Sequence, residues 1–517
     1  MANNVILDAL IPREDFEVKD DSSGTTRNIS TIGVKDLEYD SFFFAALRKP
    51  DFQRETNEWD ANRVLSLIES FISGDLIPAV ILWRSSASYT FVIDGAHRIS
   101  ALASWINNDY GDGKISKQFY DSMIPREQIE GADITRKMVQ KKIGPFSDYQ
   151  LASRNPEKVE PHIAEKAKSI GTLAIQLQWV EGDAKKAENS FFKINQQAAY
   201  IDKTELKLLN ARRKPNGIST RAILRSGKGH KYWSSYSAAC QEEIQNLAKE
   251  INDIIFQPAL TNPIKTLDLP LGGKNFSSQG QSLILELVNK TNNHADTDKL
   301  ADDSNGFQTI NFLKNCLKVV RRMNSVHASS LGLHPAVYFY SKDGRHKPAS
   351  FWAAIDFVKN LEAKNKFNWF IEVREQFEKF ILDYDYVVQQ IVRKHRSASA
   401  AYPHISNLYF LVIELLHKKV PVSELSREIR QSDKFKYVTL NDDLLEDITN
   451  PNFSRERKSE VFMKTALDSA VKCAICNGLL HKNSITIDHL ERKRSGGLGT
   501  VENGQLAHPY CNTTYKN

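Results

Sequence analysis

The spacing of hydrophobic positions indicates a region of mixed strands and helices, followed by a long helical region. Between Trp59 and Leu76, apolar residues recur at helical spacing, and Gly74 is a natural place for that helix to end. Two apolar runs, at 77–83 and 89–93, indicate buried strands, and a weaker strand is expected within 28–34. The strand at 89–93 leads directly into DGAHR and a predicted helix, ISALASWIN. This strand, tight turn and helix is the part of the region best suited to chemistry.

The rest of the chain is predicted to be largely helical. Residues 140–225 are interpreted as helices, including the run AEKAKSIGTLAIQLQWV at 164–180. From about 235 to 450, long amphipathic segments alternate with polar connectors, and no period of repeat-protein length recurs. We therefore expect an α+β chain that is mostly helical, with an α/β domain at 1–225, a helical domain at 226–450 and a small domain at 451–517.

Composition and charge narrow the class of protein. With 41% hydrophobic and 26% charged residues, the 517-residue chain has the make-up of a globular protein. Because it shows neither a signal-peptide pattern nor an apolar run long enough for a bilayer, we expect a cytoplasmic, bacterial protein without a membrane partner. From Ser454 onwards the sequence contains ten basic and six acidic residues, and this excess of four positive charges suits a polyanionic partner. A solvated lysine face would produce a similar excess.

The C-terminal segment contains two pairs of metal-ligand residues in an otherwise cysteine-poor chain. Cys473 and Cys476 form one C-x-x-C pair, and His508 and Cys511 form an H-x-x-C pair about thirty residues later. Such pairs place soft and borderline ligands on tight turns around one tetrahedral ion. They predict a closed structural Zn²⁺ site that stabilises a module too small for a core of its own. The alternative is four unrelated residues.

A second set, Asp488, His489, Asn503 and Asn512, is interleaved with the zinc pairs. An imidazole near neutral pH can act as a general base, and carboxylate and amide oxygens suit Mg²⁺ or Mn²⁺. Phosphodiester cleavage requires such a base and benefits from such an ion. The alternation of SITID predicts a strand before His489, and the last residues are expected to form a short helix that contains Asn512.

The order CAIC, IDH and GGLGTVENGQLAHPYCN resembles the ββα-metal fold of HNH endonucleases over about 45 residues. The resemblance implies that Asp488 and Asn512 hold a catalytic Mg²⁺ or Mn²⁺ ion, that His489 activates water, and that Asn503 fixes the loop that orients His489. His508 stands where that family most often has cysteine, and Asn512 where it commonly has histidine. Three basic residues follow in the loop, Arg492, Lys493 and Arg494; they are interpreted either as phosphate contacts or as a solvated turn.

The DGAHR run, Asp94 to Arg98, opens a helix directly after a buried strand. Backbone amides at a helix start favour phosphate oxygens, and His97 or Arg98 could add positive charge. Asp94 could hold a metal ion or polarise water. The alternative is structural: Asp94 caps the helix, Arg98 forms a surface ion pair and His97 is a buried, satisfied histidine.

The surroundings of DGAHR resemble the ParB/sulfiredoxin-like NTPase domains with DGQHR-type motifs that occur in GmrSD-type restriction enzymes and related phage-defence proteins. The resemblance covers roughly residues 45–215 and implies nucleotide binding at positions from three motifs. Ala96 replaces the usual glutamine of the second motif. The implied nucleotide-binding residues are Gln53, Arg54, Asp94, Gly95, His97, Arg98 and Asn195.

Together these features predict a metal-dependent HNH DNA endonuclease gated by an N-terminal sensor domain that binds or hydrolyses an NTP. The expected partners are DNA of phage or other foreign origin, a nucleotide, and either a second copy of the chain or a partner defence protein. Two alternatives remain open: a DNA-binding regulator whose zinc module only docks, and an NTPase whose tail is a non-catalytic platform.

Overall fold

A computed structural model of the chain describes residues 5–14, 28–50, 59–86, 88–120, 122, 124, 126–198, 203–261, 263–275, 278–294, 299–439 and 452–516. The chain divides into two compact units. Unit 1 contains residues 1–212 and 228–232, and unit 2 contains residues 213–227 and 233–517. The three-domain division at 225 and 450 stays a prediction, and position 450 lies outside the described residues.

Unit 1 is built on a mixed sheet, which in the described residues has six strands in the order β1-β3-β5-β4-β6-β2. β5 pairs in parallel with β3 and antiparallel with β4, while β6 is parallel to β4 and antiparallel to β2. The strands are β1 (Arg13–Glu14), β2 (Thr31–Gly33), β3 (Leu47–Pro50), β4 (Val80–Arg84), β5 (Thr90–Asp94) and β6 (Ala174–Val180).

Helices of unit 1 pack on this sheet through a core that contains Trp105 and Tyr149. α2 begins at the cap Asp60 and ends at Gly74, whose φ of 75° lies in the left-handed region, as the sequence predicted. The helices are α1 (Phe42–Ala46), α2 (Ala61–Ser73), α3 (Ala96–Ile106), α4 (Lys114–Phe119), α5 (Arg126–Lys142), α6 (Phe146–Ala152), α7 (Pro161–Ile170), α8 (Ala184–Ala198) and α9 (Lys203–Asn210).

The helix predicted over 164–180 is wrong in its second half. α7 ends at Ile170, and β6 then runs beside β4 in the sheet. The strand alternates exposed and buried residues: Ile175 and Leu177 are buried, and their neighbours Ala174, Gln176 and Gln178 are exposed. That period of two is a strand signal, but the apolar residues just before it at helical spacing concealed it.

Unit 2 is mostly helical, which confirms the α+β, mostly helical class. Its long amphipathic helices include those predicted from the sequence, and none of the described helices is long and apolar enough to span a membrane. They are α10 (Pro215–Leu224), α11 (Ala238–Phe256), α12 (Ser278–Thr291), α13 (Phe307–Met323), α14 (Pro335–Tyr338), α15 (Pro348–Ala363), α16 (Phe367–Asp383), α17 (Tyr386–His395), α18 (Ala398–His417), α19 (Val422–Gln431) and α20 (Arg455–Asp468).

The C-terminal segment of unit 2 forms a small antiparallel hairpin of β7 (Thr486–His489) and β8 (Gly504–Ala507), followed by a short π-helical turn at Cys511–Tyr515. The hairpin region packs against the loop after α13. Ser330 is hydrogen-bonded to Ser484, with 3.0 Å between their hydroxyl oxygens, and its carbonyl accepts from the Tyr510 amide at 3.0 Å. In the same loop Gly332 has a φ of 62°, and a Cβ there would lie 2.3 Å from the His508 ring.

A buried ion pair in α16 joins the helices to this C-terminal segment. Arg374 is fully buried, and its Nε lies 2.7 Å from Oε1 of Glu378. The guanidinium also donates to the carbonyls of Leu331 and Gly332, while the second Glu378 oxygen accepts from the Leu479 amide at 2.9 Å. A Cβ at residue 478 would overlap the Arg374 side chain. The pair is therefore satisfied on both sides, as a buried ion pair must be.

We predict that Glu378→Ala will destabilise unit 2 by about 3–5 kcal/mol, because it leaves the buried Arg374 charge without its partner. The measurement is thermal unfolding followed by circular dichroism. Lys379→Ala is the matched control, since Lys379 forms an exposed pair with Asp383 that is worth about 0–1 kcal/mol. Equal shifts for the two variants would contradict this account.

Candidate nuclease site and nucleotide-binding turn

The two predicted zinc-ligand pairs lie together in unit 2. Cys473 and Cys476 flank a tight turn in which the Cys473 carbonyl accepts from the Asn477 amide at 2.9 Å, and Asn477 has a positive φ of 56°. His508 follows β8, and Cys511 begins the π-helical turn. All four side chains are buried, and their ligand atoms lie within 4.8 Å of one another. The cluster could therefore bind zinc.

The His508 ring is oriented for metal binding by its second nitrogen. Nε2 lies 3.0 Å from the Leu479 carbonyl, while Nδ1 lies 3.4 Å from Sγ of Cys476. Donation from Nε2–H to the carbonyl would leave the Nδ1 lone pair directed into the cluster, the usual support of a ligating histidine. Burial, together with Arg374, lowers the pKa of His508 and favours its neutral form.

Hydrogen bonding within the cluster divides the three thiols, because it lowers the pKa of Cys473 and raises the pKa values of Cys476 and Cys511. Hydrogen bonds from Cys476 and Cys511 lower the pKa of Cys473 well below that of a free thiol. Hydrogen bonding to Cys473 raises the pKa of Cys476 to about 11, so one thiol in the group ionises before the others. Within the described residues this is the one group of three or more histidine, cysteine or acidic side chains close enough to share an ion.

The catalytic-type residues line an open cleft of about 360 Å³ beside the hairpin. Asp488 and His489 lie on β7, where they pair in register with Gln505 and Gly504 of β8. Asn512 comes from the π-helical turn, and the structure thus brings three of the predicted side chains to one cleft. The remaining lining side chains are mostly cationic: Ile487, Arg492, Lys493, Arg494 and Lys516.

Asp488 is buried, and its carboxylate accepts hydrogen bonds from two neighbours that the sequence analysis missed. Its Oδ2 accepts from Nε2 of Gln505 and from Nζ of Lys516, each at 2.6 Å. Lys516 also donates to the His489 carbonyl at 2.5 Å, while Arg492 donates to the Lys516 carbonyl. The pairing of Asp488 with Gln505 could have been found from the alternation of the two strands. Nothing in the spacing of Lys516, next to the end of the chain, pointed to it.

The side chains of Asn512 and Asn503 form hydrogen bonds with backbone groups rather than with each other. The side-chain nitrogen Nδ2 of Asn512 donates to the Ile487 carbonyl at 3.2 Å, which keeps the turn beside β7. Asn503 does not line the cleft; its Oδ1 accepts from the Glu491 amide at 2.7 Å and its Nδ2 donates to the Leu498 carbonyl at 2.7 Å. These bonds close the loop that follows His489. Its predicted role in fixing that loop fits this geometry, but the roles of all four residues stay predictions.

The DGAHR turn of unit 1 has the predicted strand–turn–helix form. Gly95 has a φ of 97°, and a Cβ there would lie 2.8 Å from the Val80 side chain, so the tight turn requires glycine. Gly95 rather than Asp94 is the cap residue of α3. Asp94 instead accepts from Arg98 at 2.7 Å, and Arg98 also donates to the Ala79 carbonyl. Both side chains of this ion pair are partly exposed.

The other predicted nucleotide-binding residues are placed in part. His97 is half-buried and stacks on Trp59, with 5.7 Å between ring centroids. Gln53 and Arg54 lie outside the described residues, and Asn195 is in α8 with its side chain outside the description.

Comparison with known families gives two matches. Residues 35–214 match the model of the GmrSD restriction endonuclease N-terminal domain, and residues 473–517 match that of the HNH endonuclease. Comparison with curated proteins and with solved structures found no match. The first match covers the sheet of unit 1 from β3 onwards and the DGAHR turn, and the second covers the cysteine cluster and the cationic cleft. The chain is therefore a nuclease of restriction type that hydrolyses phosphodiester bonds and joins a GmrSD N-terminal domain to a C-terminal HNH endonuclease domain.

Proposed function

We propose that the protein is a metal-dependent DNA endonuclease of phage or other foreign DNA, gated by an NTP-binding or NTP-hydrolysing sensor domain in unit 1. The observation that supports it best is the convergence of Asp488, His489 and Asn512 on one cationic cleft. Asp488 and Asn512 offer oxygen ligands of the kind that Mg²⁺ and Mn²⁺ prefer. Arg492, Lys493 and Arg494 give the cleft the charge that a phosphodiester backbone requires.

The protein side chains divide the chemistry between them. His489 takes the proton from the attacking water, since imidazole ionises near neutral pH. Asp488 and Asn512 would hold the Mg²⁺ or Mn²⁺ ion, which when bound would stabilise negative charge on the departing oxygen. Lys516 forms an ion pair with Asp488, with 2.6 Å between Nζ and Oδ2, and so compensates the charge of this buried carboxylate. Because one such site cuts one strand, cleavage of both strands requires a dimer, a partner defence protein or sequential nicking.

The Cys473, Cys476, His508 and Cys511 cluster serves as a structural Zn²⁺ site in this proposal. Three thiolates around a divalent ion leave one net negative charge inside the protein. The buried guanidinium of Arg374 lies 3.2 Å from Nδ1 of His508 and partly offsets that charge, although its ion-pair partner is Glu378.

We expect one zinc ion per chain, and we expect Cys511→Ala to lose it and to lower the unfolding temperature of unit 2, because the hairpin loses its crosslink. The measurements are elemental analysis and thermal unfolding. Cys316→Ala is the control, since Cys316 is a buried thiol of α13 outside the cluster. The zinc assignment is wrong if both variants keep the metal.

For catalysis, His489→Ala should reduce the nicking rate on supercoiled plasmid with Mg²⁺ or Mn²⁺ by about 10²–10⁴-fold, the usual effect of removing a general base. His162→Ala is the control, because His162 is an exposed residue of α7 in unit 1. Undiminished cutting by His489→Ala excludes the proposed base. DNA binding without nicking under either metal by the wild-type protein supports the alternative of a DNA-binding regulator.

For gating, addition of the correct NTP should change the cleavage rate of the wild-type protein, and Asp94→Ala should abolish that change. The variant removes the carboxylate that holds Arg98 at the start of α3. The measurement is cleavage of modified and unmodified phage DNA with each NTP in turn. Asp133→Ala is the matched control variant, since Asp133 forms a similar i,i+4 ion pair with Lys137 on α5. If Asp94→Ala still responds to the NTP, unit 1 does not gate cleavage through Asp94. If instead the protein hydrolyses an NTP in an Asp94-dependent way and cuts no DNA, the result supports the alternative of an NTPase with a non-catalytic tail.

A further inference from the structure

Unit 2 contains a second basic cleft, formed by residues that precede the hairpin in the sequence. It has a volume of about 420 Å³ and lies among the last turn of α17, the first half of α18 and the segment after α19. No motif of the sequence analysis falls on it. Its lining is rich in lysine and histidine: Lys394, His395, His404, Asn407, Asp433, Lys434, Lys436 and Tyr437.

The centre of this cleft is a pair of stacked imidazoles. The rings of His395 and His404 are nearly parallel, at 9°, with 3.7 Å between their centroids. Nε2 of His395 and the Tyr437 hydroxyl are buried atoms that have no hydrogen-bond partner among the described residues. Buried polar atoms of this kind normally have a partner. Two of them beside one cleft indicate that a ligand with hydrogen-bonding oxygens completes the site.

The charges around the imidazoles specify the kind of ligand. Lys394 and Lys434 are exposed, and no carboxylate of the described residues lies within ion-pair distance of either. Asp433 is the acidic group of the lining, and it pairs with Lys436 at 2.5 Å. Burial, and then the neighbouring His395 and Lys434, lower the pKa of His404.

A cation does not fit this cleft. Among the described residues, His395, His404 and Asp433 are not close enough to form a three-ligand group. The basic last turn of α17 complements its helix dipole, which explains why Arg393 and Lys394 lie there. The dipole does not explain the lysines after α19 or the two unpartnered polar atoms.

We propose that this cleft is a phosphate-binding site, formed by Lys394, Lys434 and the imidazoles, that takes a phosphate group of bound DNA or a free phosphoryl anion. Lysine ammonium groups and imidazole N–H groups are donors that phosphate oxygens accept. DNA is favoured, because the chain is a nuclease and a contact on the helices would give the duplex a second point of attachment, outside the catalytic cleft. A phosphate contact of this type positions the duplex without reading its sequence.

The test measures binding of a fluorescein-labelled 30-base-pair duplex and of inorganic phosphate to the full chain, without added divalent metal. A His489→Ala background prevents cutting. We expect Lys394→Gln/Lys434→Gln to weaken duplex binding about 10-fold and to reduce the salt-dependence slope by about two, because two phosphate contacts are lost. Tyr437→Phe, which removes only the hydroxyl, should weaken binding in the same assay.

The matched control is Lys418→Gln/Lys419→Gln, which removes the same charge from exposed positions at the end of α18. It should change duplex affinity less than 2-fold. If the cleft variant weakens only phosphate binding, the site takes a free anion; if it weakens only duplex binding, the site takes the DNA backbone. Equal losses from the cleft and control variants, or no loss of either ligand, would overturn the proposal.

Discussion

The buried pair of Arg374 and Glu378 is the interaction on which the rest of unit 2 depends. The guanidinium donates to two carbonyls of the loop after α13, and its Nη1 also approaches His508 of the cysteine cluster. Glu378 in turn holds the Leu479 amide. Neither charge can be removed alone without leaving the other buried and unpaired. The hairpin with the catalytic-type residues is therefore oriented by α16 as well as by its own small fold.

Short-range patterns allowed much of this architecture to be predicted. The metal-ligand spacings, the strand before His489 and the strand–turn–helix at Asp94 are local features, because each depends on residues a few positions apart. The same reasoning misassigned the strand Ala174–Val180. There, apolar residues at helical spacing precede a segment that pairs with β4, and pairing with a distant strand overrides local preference.

What sequence reasoning could not supply is long-range chemistry. Lys516 reaches Asp488 only because the π-helical turn returns the chain to β7, and Arg374 meets His508 across 134 positions. The stacked histidines of α17 and α18 are ordinary helix residues until the two helices pack together. A single sequence contains no signal that pairs such residues. The predicted nucleotide-binding residues differ from these, because a family resemblance rather than a local pattern names them, and Gln53 and Arg54 lie outside the described residues.

The glycine at position 332 has a consequence for how such enzymes diversify. Any side chain there would occupy the space of the His508 ring, so the loop of the helical region and the nuclease module are fitted to each other atom by atom. Recombination that replaces the last 45 residues with those of another HNH enzyme would thus introduce a nuclease surface shaped for a different helical region. Exchange of the whole of unit 2 would preserve that fit. In this lineage the helices and the nuclease are expected to be inherited together, even though only the nuclease has a recognisable motif.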